Sequence, residues 1–148
     1  MRVLLCAMAF VLLAASPQSQ ASSVLVPVHQ LFDGLNKNDA QTTVAACASP
    51  ASVVDEFPPH EWQGATACAD WLKGLTALDK QLGITDTVAT LGKPLHVDVT
   101  GDRAYVVVPA TYSYKMRGKT ATESALFTAA LRNFGGSWRI TDWAWAKR

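Results

Sequence analysis

Residues 104–116 read AYVVVPATYSYKM, a β-branched and aromatic run that is longer than the usual strand of about five or six residues. Pro109 sits inside it and can donate no ladder hydrogen bond, so this strand must lie at an edge, bend or carry a bulge. Outward from it in both directions the chain keeps an alternating period. Arg117-Gly118 makes a reversal, residues 120–134 are a second long strand, Gly135-Gly136 turns again, and residues 137–147 form the last strand. Upstream, residues 87–91 and 95–100 read as one strand interrupted at Gly92-Lys93-Pro94, with a turn at Thr100-Gly101-Asp102-Arg103.

Before Asp86 the period is helical. Val24, Val28, Leu31, Phe32 and Leu35 recur at spacings of three and four and predict an amphipathic helix over residues 24–38. Asp39 is placed to cap a second, shorter helix through Gln41, Val44 and Ala45 to about residue 48, where Ser49-Pro50 stops it. Residues 51–56 follow as a short strand and residues 57–64 as a loop made rigid by Phe57, Pro58, Pro59 and Trp62. Thr66 then caps a third helix carrying Cys68, Trp71, Leu72, Leu75, Leu78 and Leu82 to Gly83. Helices first and a meander of long strands after them predict an α+β domain. Proline and glycine within long strands add curvature, so the expected form is a cone-shaped α+β barrel: three N-terminal helices packed on the concave face of a strongly curved antiparallel sheet.

Residues 1–21 read as a signal peptide: Arg2 is the positive start, residues 3–15 are an apolar run short for a membrane span, and Ser19-Gln20-Ala21 is a small-x-small cleavage site. Residues 22–148 are then one domain, periplasmic or secreted, with no membrane partner once the leader is gone. The formal net charge is +1, and losing Arg2 brings it to zero. No run of Lys and Arg offers a phosphate track, which argues against nucleic acid. Near-neutral charge gives little resistance to self-association, and a homodimer is expected.

Two cysteines remain after the leader, Cys47 and Cys68, and an oxidising compartment makes them a disulfide candidate that would tie the Asp55 segment between two helices. Two buried thiols are the other possibility. Neither cysteine has a histidine or second cysteine at ligand spacing, and His29, His60 and His96 fall on a helix, a loop and a strand, so neither a metal nor another cofactor is expected.

Asp55 is the candidate acid. Among Phe57, Trp62 and the sheet aromatics, partial burial would raise its pKa and suit it to general acid or base work. Alternatively it accepts backbone N–H groups of the following loop and holds Pro58-Pro59 in place. Glu56 should point to the opposite face of a regular strand, so the two are not expected to act as a pair. On the last strand Trp138 and Ile140 share one face while Trp143 and Trp145 share the other, unless a bulge near Thr141-Asp142 brings them together, and the face of Asp142 depends on the same bulge.

The order of elements, the strand ending in Asp55-Glu56-Phe57, Gly64 ahead of a helix, and the closing SWRITDWAW of residues 137–145 resemble the nuclear transport factor 2-like superfamily, in particular its SnoaL-like branch and exported bacterial members. The resemblance covers nearly all of residues 24–147 and implies the fold far more firmly than the activity, because that fold hosts isomerases, dehydratases, hydrolases, cyclases, binders and assembly modules. It places Tyr112 and Tyr114 towards the cavity, with Thr128 a weaker candidate on the next strand. Beside the ketosteroid isomerase branch, Asp55 falls where the proton-shuttling aspartate lies, Leu31 where a donating tyrosine lies, and Ala130 where a protonated acid lies. Loss of one such donor costs about 3 to 4 kcal/mol, so that reaction by that route is not expected. The reading at this point is a small-molecule-binding domain with a partly apolar conical pocket lined by Asp55, Trp62, Tyr112, Tyr114, Trp143 and Trp145. One alternative is a lyase, isomerase or hydrolase in which Asp55 is the general acid or base. The other is a non-catalytic homodimeric accessory protein.

Overall fold

The structure is a computed structural model that describes residues 17–148; most of the leader expected over residues 1–21 lies outside the described residues. The sheet is built on three long strands, β5 (Arg103–Met116), β6 (Lys119–Phe134) and β7 (Ser137–Lys147). Arg117 and Gly118, at φ 52° and 78°, form the β5–β6 turn, where two left-handed residues match the twist of the strands they join. β5 and β6 then pair without interruption from Arg103↔Arg132 to Met116↔Lys119.

The free side of β5 is shared by two shorter strands, β3 (Ile84–Leu91) and β4 (His96–Thr100), which pair with its C-terminal and N-terminal halves respectively. Pro109 lies where one stops and the other starts. Its carbonyl accepts Gly92 N–H at 2.7 Å, so the donor it lacks would also have faced the interruption at Gly92-Lys93-Pro94, where the β3 ladder has ended. This is the physical reason a proline survives in mid-sheet.

At the other edge, β1 (Cys47–Val54) runs parallel to β7 and antiparallel to β2 (Glu61–Gly64), giving the order β2-β1-β7-β6-β5-β3. The sheet is thus antiparallel except at β1–β7. Two expectations shift here. The strand starts at Cys47 and not Ala51, because the second helix ends by Ala46, whose carbonyl takes Ile140 N–H from β7 at 3.0 Å. The second half of the expected loop is β2, paired to β1 through Val53↔Trp62.

Three helices cover the concave face: α1 (Pro17–Asn36), α2 (Ala40–Ala45) and α3 (Ala67–Leu82). Val24, Val28, Leu31 and Phe32 of α1 are all buried, and Phe32 meets Phe127 of β6 edge-on at 5.2 Å. Burying aliphatic and aromatic side chains of this size contributes about 1.5–3 kcal/mol each. At the end of α1 the Asn36 amide acts as a substitute strand, donating to Ala89 O and accepting Ala89 N–H, both at 2.8 Å, which fixes the helix to β3. Asp39 caps α2 by accepting Thr42 N–H at 3.0 Å. Thr66 precedes α3 but its hydroxyl bonds Asp70 instead of the backbone, and Gly83 closes α3 in the left-handed conformation.

Cys47 and Cys68 are joined in a disulfide with a sequence separation of 21 residues, tying the start of β1 to the first turn of α3. Closing a loop of that size restricts the unfolded chain. Replacing both cysteines by alanine is expected to lower stability by about 2–4 kcal/mol, read as a reduced urea midpoint; an unchanged midpoint would show that packing alone holds β1 to α3.

Candidate functional site

One residue in β7 decides which side chains reach the interior. Leu131 pairs with Ile140 and Ala130 pairs with Asp142, so Thr141 has no opposite number and forms a bulge. Its effect is to put Ile140 and Trp143 on the same face, three residues apart. Ile140 and Trp143 are both buried, while Asp142 is exposed on the outer side. From the bulge onward Trp143, Trp145 and Lys147 sit opposite Ala129, Phe127 and Ala125.

Between this face and the helices lies a cavity of about 200 Å³. Its wall includes Leu31, Phe32 and Leu35 of α1, Trp71, Leu75, Leu78 and Asp79 of α3, Tyr112 and Tyr114 of β5, Glu123 and Phe127 of β6, and Trp143, Trp145 and Lys147 of β7. Asp55, Glu56 and Phe57 close it from the end of β1. Trp71 meets Trp143 edge-on at 4.6 Å, and Trp143 lies tilted on Phe127 at 5.5 Å. The walls are therefore mainly aromatic and aliphatic, with the polar groups gathered at a few points.

Asp55 is held from several directions. One carboxylate oxygen accepts Trp71 Nε1–H at 2.7 Å and the other accepts the Glu56 backbone N–H at 2.6 Å. Its backbone N–H donates to His60 O at 3.0 Å, which shapes the Pro58-Pro59 turn. Asp55 thus accepts a backbone N–H of the following loop and also lines the cavity. Burial pushes its carboxyl above the ordinary range; the Trp71 and Glu56 N–H groups oppose this, the charge of Glu123 adds to it, and His60 offsets part of it.

Two further polar groups share the wall. Tyr112 donates to Asp79 at 3.3 Å; burial raises Asp79 against that bond, and burial together with Asp79 raises the tyrosine. Lys147 bridges Glu123 at 2.7 Å and Glu56 at 3.1 Å, and Trp145 Nε1–H donates to Glu123 at 2.7 Å. Burial raises Glu123, but the bonds from Lys147, Trp145 and Glu56 outweigh it and hold the carboxyl below its usual range. Glu56 moves the other way, raised by burial and by its bond from Glu123 against the opposing bond from Lys147.

Among the sequence candidates, Asp55, Tyr112, Tyr114, Trp143 and Trp145 all line the cavity. Trp62 does not line it: on β2 its ring packs on Phe57 at 4.9 Å and lies against α3 at Gly74, so it backs the wall from behind. Thr128 is the opposite-face neighbour of Phe127 and pairs with Val107, so it turns away from the tyrosines. Ala130 also lies on the outer face; its inward neighbour is Ala129, again without a donor. Glu56 departs from the expected opposite orientation because β1 ends at Val54 and the alternation ends with it. His60 and Glu61 are exposed, and no group of three or more His, Cys, Asp or Glu among the described residues is placed to hold a metal.

The sequence reading missed Glu123, Asp79, Lys147 and the donor role of Trp71. A signal for Glu123 existed, since it continues the inward series Ala125, Phe127, Ala129, Leu131 on β6. Trp71 supplies a bond that favours ionised Asp55, so Trp71→Phe is expected to move the Asp55 titration upward, followed by side-chain carboxyl NMR. An unmoved or lower titration would show that this bond does not govern the carboxyl.

No protein-family model matches the sequence, and no curated protein does. Solved structures do match. A hexachlorocyclohexane dehydrochlorinase from Novosphingobium barchaimii superposes with a TM-score of 0.75 at 10% identity, covering 88% of this chain and 88% of that one. A ketosteroid isomerase-like protein from Erwinia carotovora atroseptica gives 0.69 at 14% identity, over 86% of this chain and 95% of that one. A nuclear transport factor 2-like protein with a cystatin-like fold from Novosphingobium aromaticivorans gives 0.71 at 16% identity, over 88% and 82%. At these identities the likeness is one of architecture, and on that evidence the chain has the nuclear transport factor 2-like fold, the cone of helices and curved sheet implied by its sequence.

Proposed function

We propose that this protein is an exported small-molecule-binding domain, periplasmic or secreted, whose ligand enters the cavity between the helices and β5–β7. The observation that carries the reading is the cavity itself: about 200 Å³, walled by Trp71, Phe127, Trp143 and leucines, with Asp55 fixed at its edge by an indole N–H. Apolar walls supply affinity and a few placed polar groups orient the ligand. At this volume the occupant is smaller than the ligands of typical drug-sized sites, which begin at about 300 Å³.

A second reading is acid–base catalysis by Asp55, in a lyase, isomerase or hydrolase. Its support is the combination of a carboxyl raised by burial with a fixed position on the cavity wall. The structural likeness to a dehydrochlorinase and to a ketosteroid isomerase-like protein is in keeping with it. A homodimeric accessory role is the third reading; there the outer face of the sheet, with Tyr105, Val107, Leu126 and Ala144, would meet a second copy.

Native mass spectrometry of protein recovered from the periplasm separates these. A binder is expected to carry a retained small molecule, and Asp55→Asn is expected to leave its affinity within about fivefold, the loss of one modest polar contact. A proton-transfer enzyme would instead lose about 10²–10⁴-fold in turnover of that compound on the same change. An empty protein that is a dimer, with no response to Asp55→Asn, would count against both.

A further inference from the structure

The helix α3 has two unlike halves. In the first, Ala67, Cys68 and Trp71 are buried, Cys68 is joined to Cys47, and the Trp71 indole donates to Asp55. In the second, residues 75–82, none is buried: Leu75, Leu78 and Asp79 are half-buried and Leu82 is 40% exposed. The division falls where the helix is weakest. Gly74 is the poorest helix former in α3, and the Thr76 hydroxyl donates to the Leu72 carbonyl at 2.9 Å, a bond back along the helix of the kind that loosens and bends a turn. Gly83, in the left-handed conformation, bounds the second half at its other end.

Residues 75–82 also stand between two hollows. Leu75, Leu78, Asp79 and Leu82 line the cavity, while Leu75, Thr76, Asp79 and Lys80 line a groove of about 620 Å³ whose far wall is the end of α1 and α2, with Gly34, Asn38 and Val44. Among the described residues, one side-chain hydrogen bond ties this segment to the sheet, Asp79 accepting from the Tyr112 hydroxyl at 3.3 Å, and both of its partners border both hollows. A segment with few buried apolar contacts and little polar fixation opens at low cost in free energy. Dense packing would still leave it no room to move, and here the groove provides that room.

We propose that residues 75–82 are the gate of the cavity: pivoting between Gly74 and Gly83, they move into the groove, break the Tyr112–Asp79 bond and admit a ligand beneath α3. This rests on the small-molecule-binding reading above and supplies the entry step for it. The first half of α3 takes no part in the movement, because the disulfide and the Trp71–Asp55 bond hold it to β1 and the segment that follows. Asp55 therefore keeps its place on the wall while the gate is open. The groove is the space the gate occupies when open, and the Tyr112 hydroxyl is the latch that returns it.

Toluene is the probe, since an apolar cavity of about 150 Å³ takes up benzene and about 200 Å³ suits a ring with one substituent. Its exchange is followed by magnetisation-transfer NMR, with through-space contacts to Phe127 and Trp143 placing it in the cavity and not in the groove. Tyr112→Phe removes the latch oxygen and keeps the ring. Association and dissociation are both expected to be about three- to tenfold faster, the margin of one hydrogen bond, with Kd within about twofold of the wild type. Val44, which lines the groove but not the cavity, is the opposite test. In Val44→Phe both rates are expected to fall by about fivefold or more, because overpacking the groove raises the open state, again with Kd within about twofold. Rates unmoved in either folded variant, or a Tyr112→Phe effect confined to dissociation and Kd, would overturn the gate and leave the cavity reading standing. Toluene that makes no contact with Phe127 or Trp143 in the wild type would overturn the cavity reading and the gate together.

Discussion

One unpaired residue in the last strand, Thr141, is the constraint from which the interior follows. A regular β7 would alternate strictly, and Ile140 and Trp143 would face opposite sides. The bulge turns the strand over after Ile140, so a single strand contributes Ile140 to the core and then Trp143, Trp145 and Lys147 to the cavity wall. β1 follows the same turn on its other side, where pairing skips from Cys47↔Ile140 to Ser52↔Asp142. Irregularity in one strand is therefore shared by its neighbour, and the neighbour delivers Asp55. Without the bulge the largest aromatic rings of the cavity would lie on the outer face, and Glu123 would lose both Trp145 and Lys147.

The polar groups that result are distributed in a way that separates their chemistry. Glu123, Glu56 and Lys147 are joined at one end, where a cation and an indole N–H both bond Glu123. Asp55 has no such cation; an indole N–H and a backbone N–H stand against its burial, and burial wins. Asp79 and Tyr112 form a third, weaker couple between α3 and β5. Asp55 and the lysine-bridged pair thus stand at separate points of the cavity wall.

The fold was legible because its signals are local and repeated: the helical spacing of Val24, Val28, Leu31 and Phe32, the long alternating runs, and paired turn residues at Arg117-Gly118 and Gly135-Gly136. Even Pro109 announced a break, though which neighbour it faced needed the pairing of β3 and β4. In the site, the cavity-facing position of Tyr112 and Tyr114 came from the resemblance and not from the residues alone, and Asp55, Trp143 and Trp145 line the cavity with them. Trp62 was misplaced because aromaticity says that a ring is buried and not against what; its place on β2 turns it onto Phe57. Glu56 was misplaced because alternation was extended past Val54, where the strand ends. Trp71 read as one more apolar position of α3, since helical periodicity carries no information about where an indole nitrogen points. The partner of that nitrogen comes from sixteen residues earlier in the chain, a contact made only by the folded protein.

Beneath α1 and α3 lies a mainly apolar cavity of about 200 Å³, and the rest of the functional reading depends on it. The most direct measurement is a crystal structure of the protein under xenon pressure, since xenon enters dry apolar cavities of this scale without needing a specific contact. Xenon density is expected among Phe32, Phe127, Trp71 and Trp143, with Asp55 still bonded to the Trp71 indole. Side chains collapsed into that space, with no xenon site among them, would contradict it.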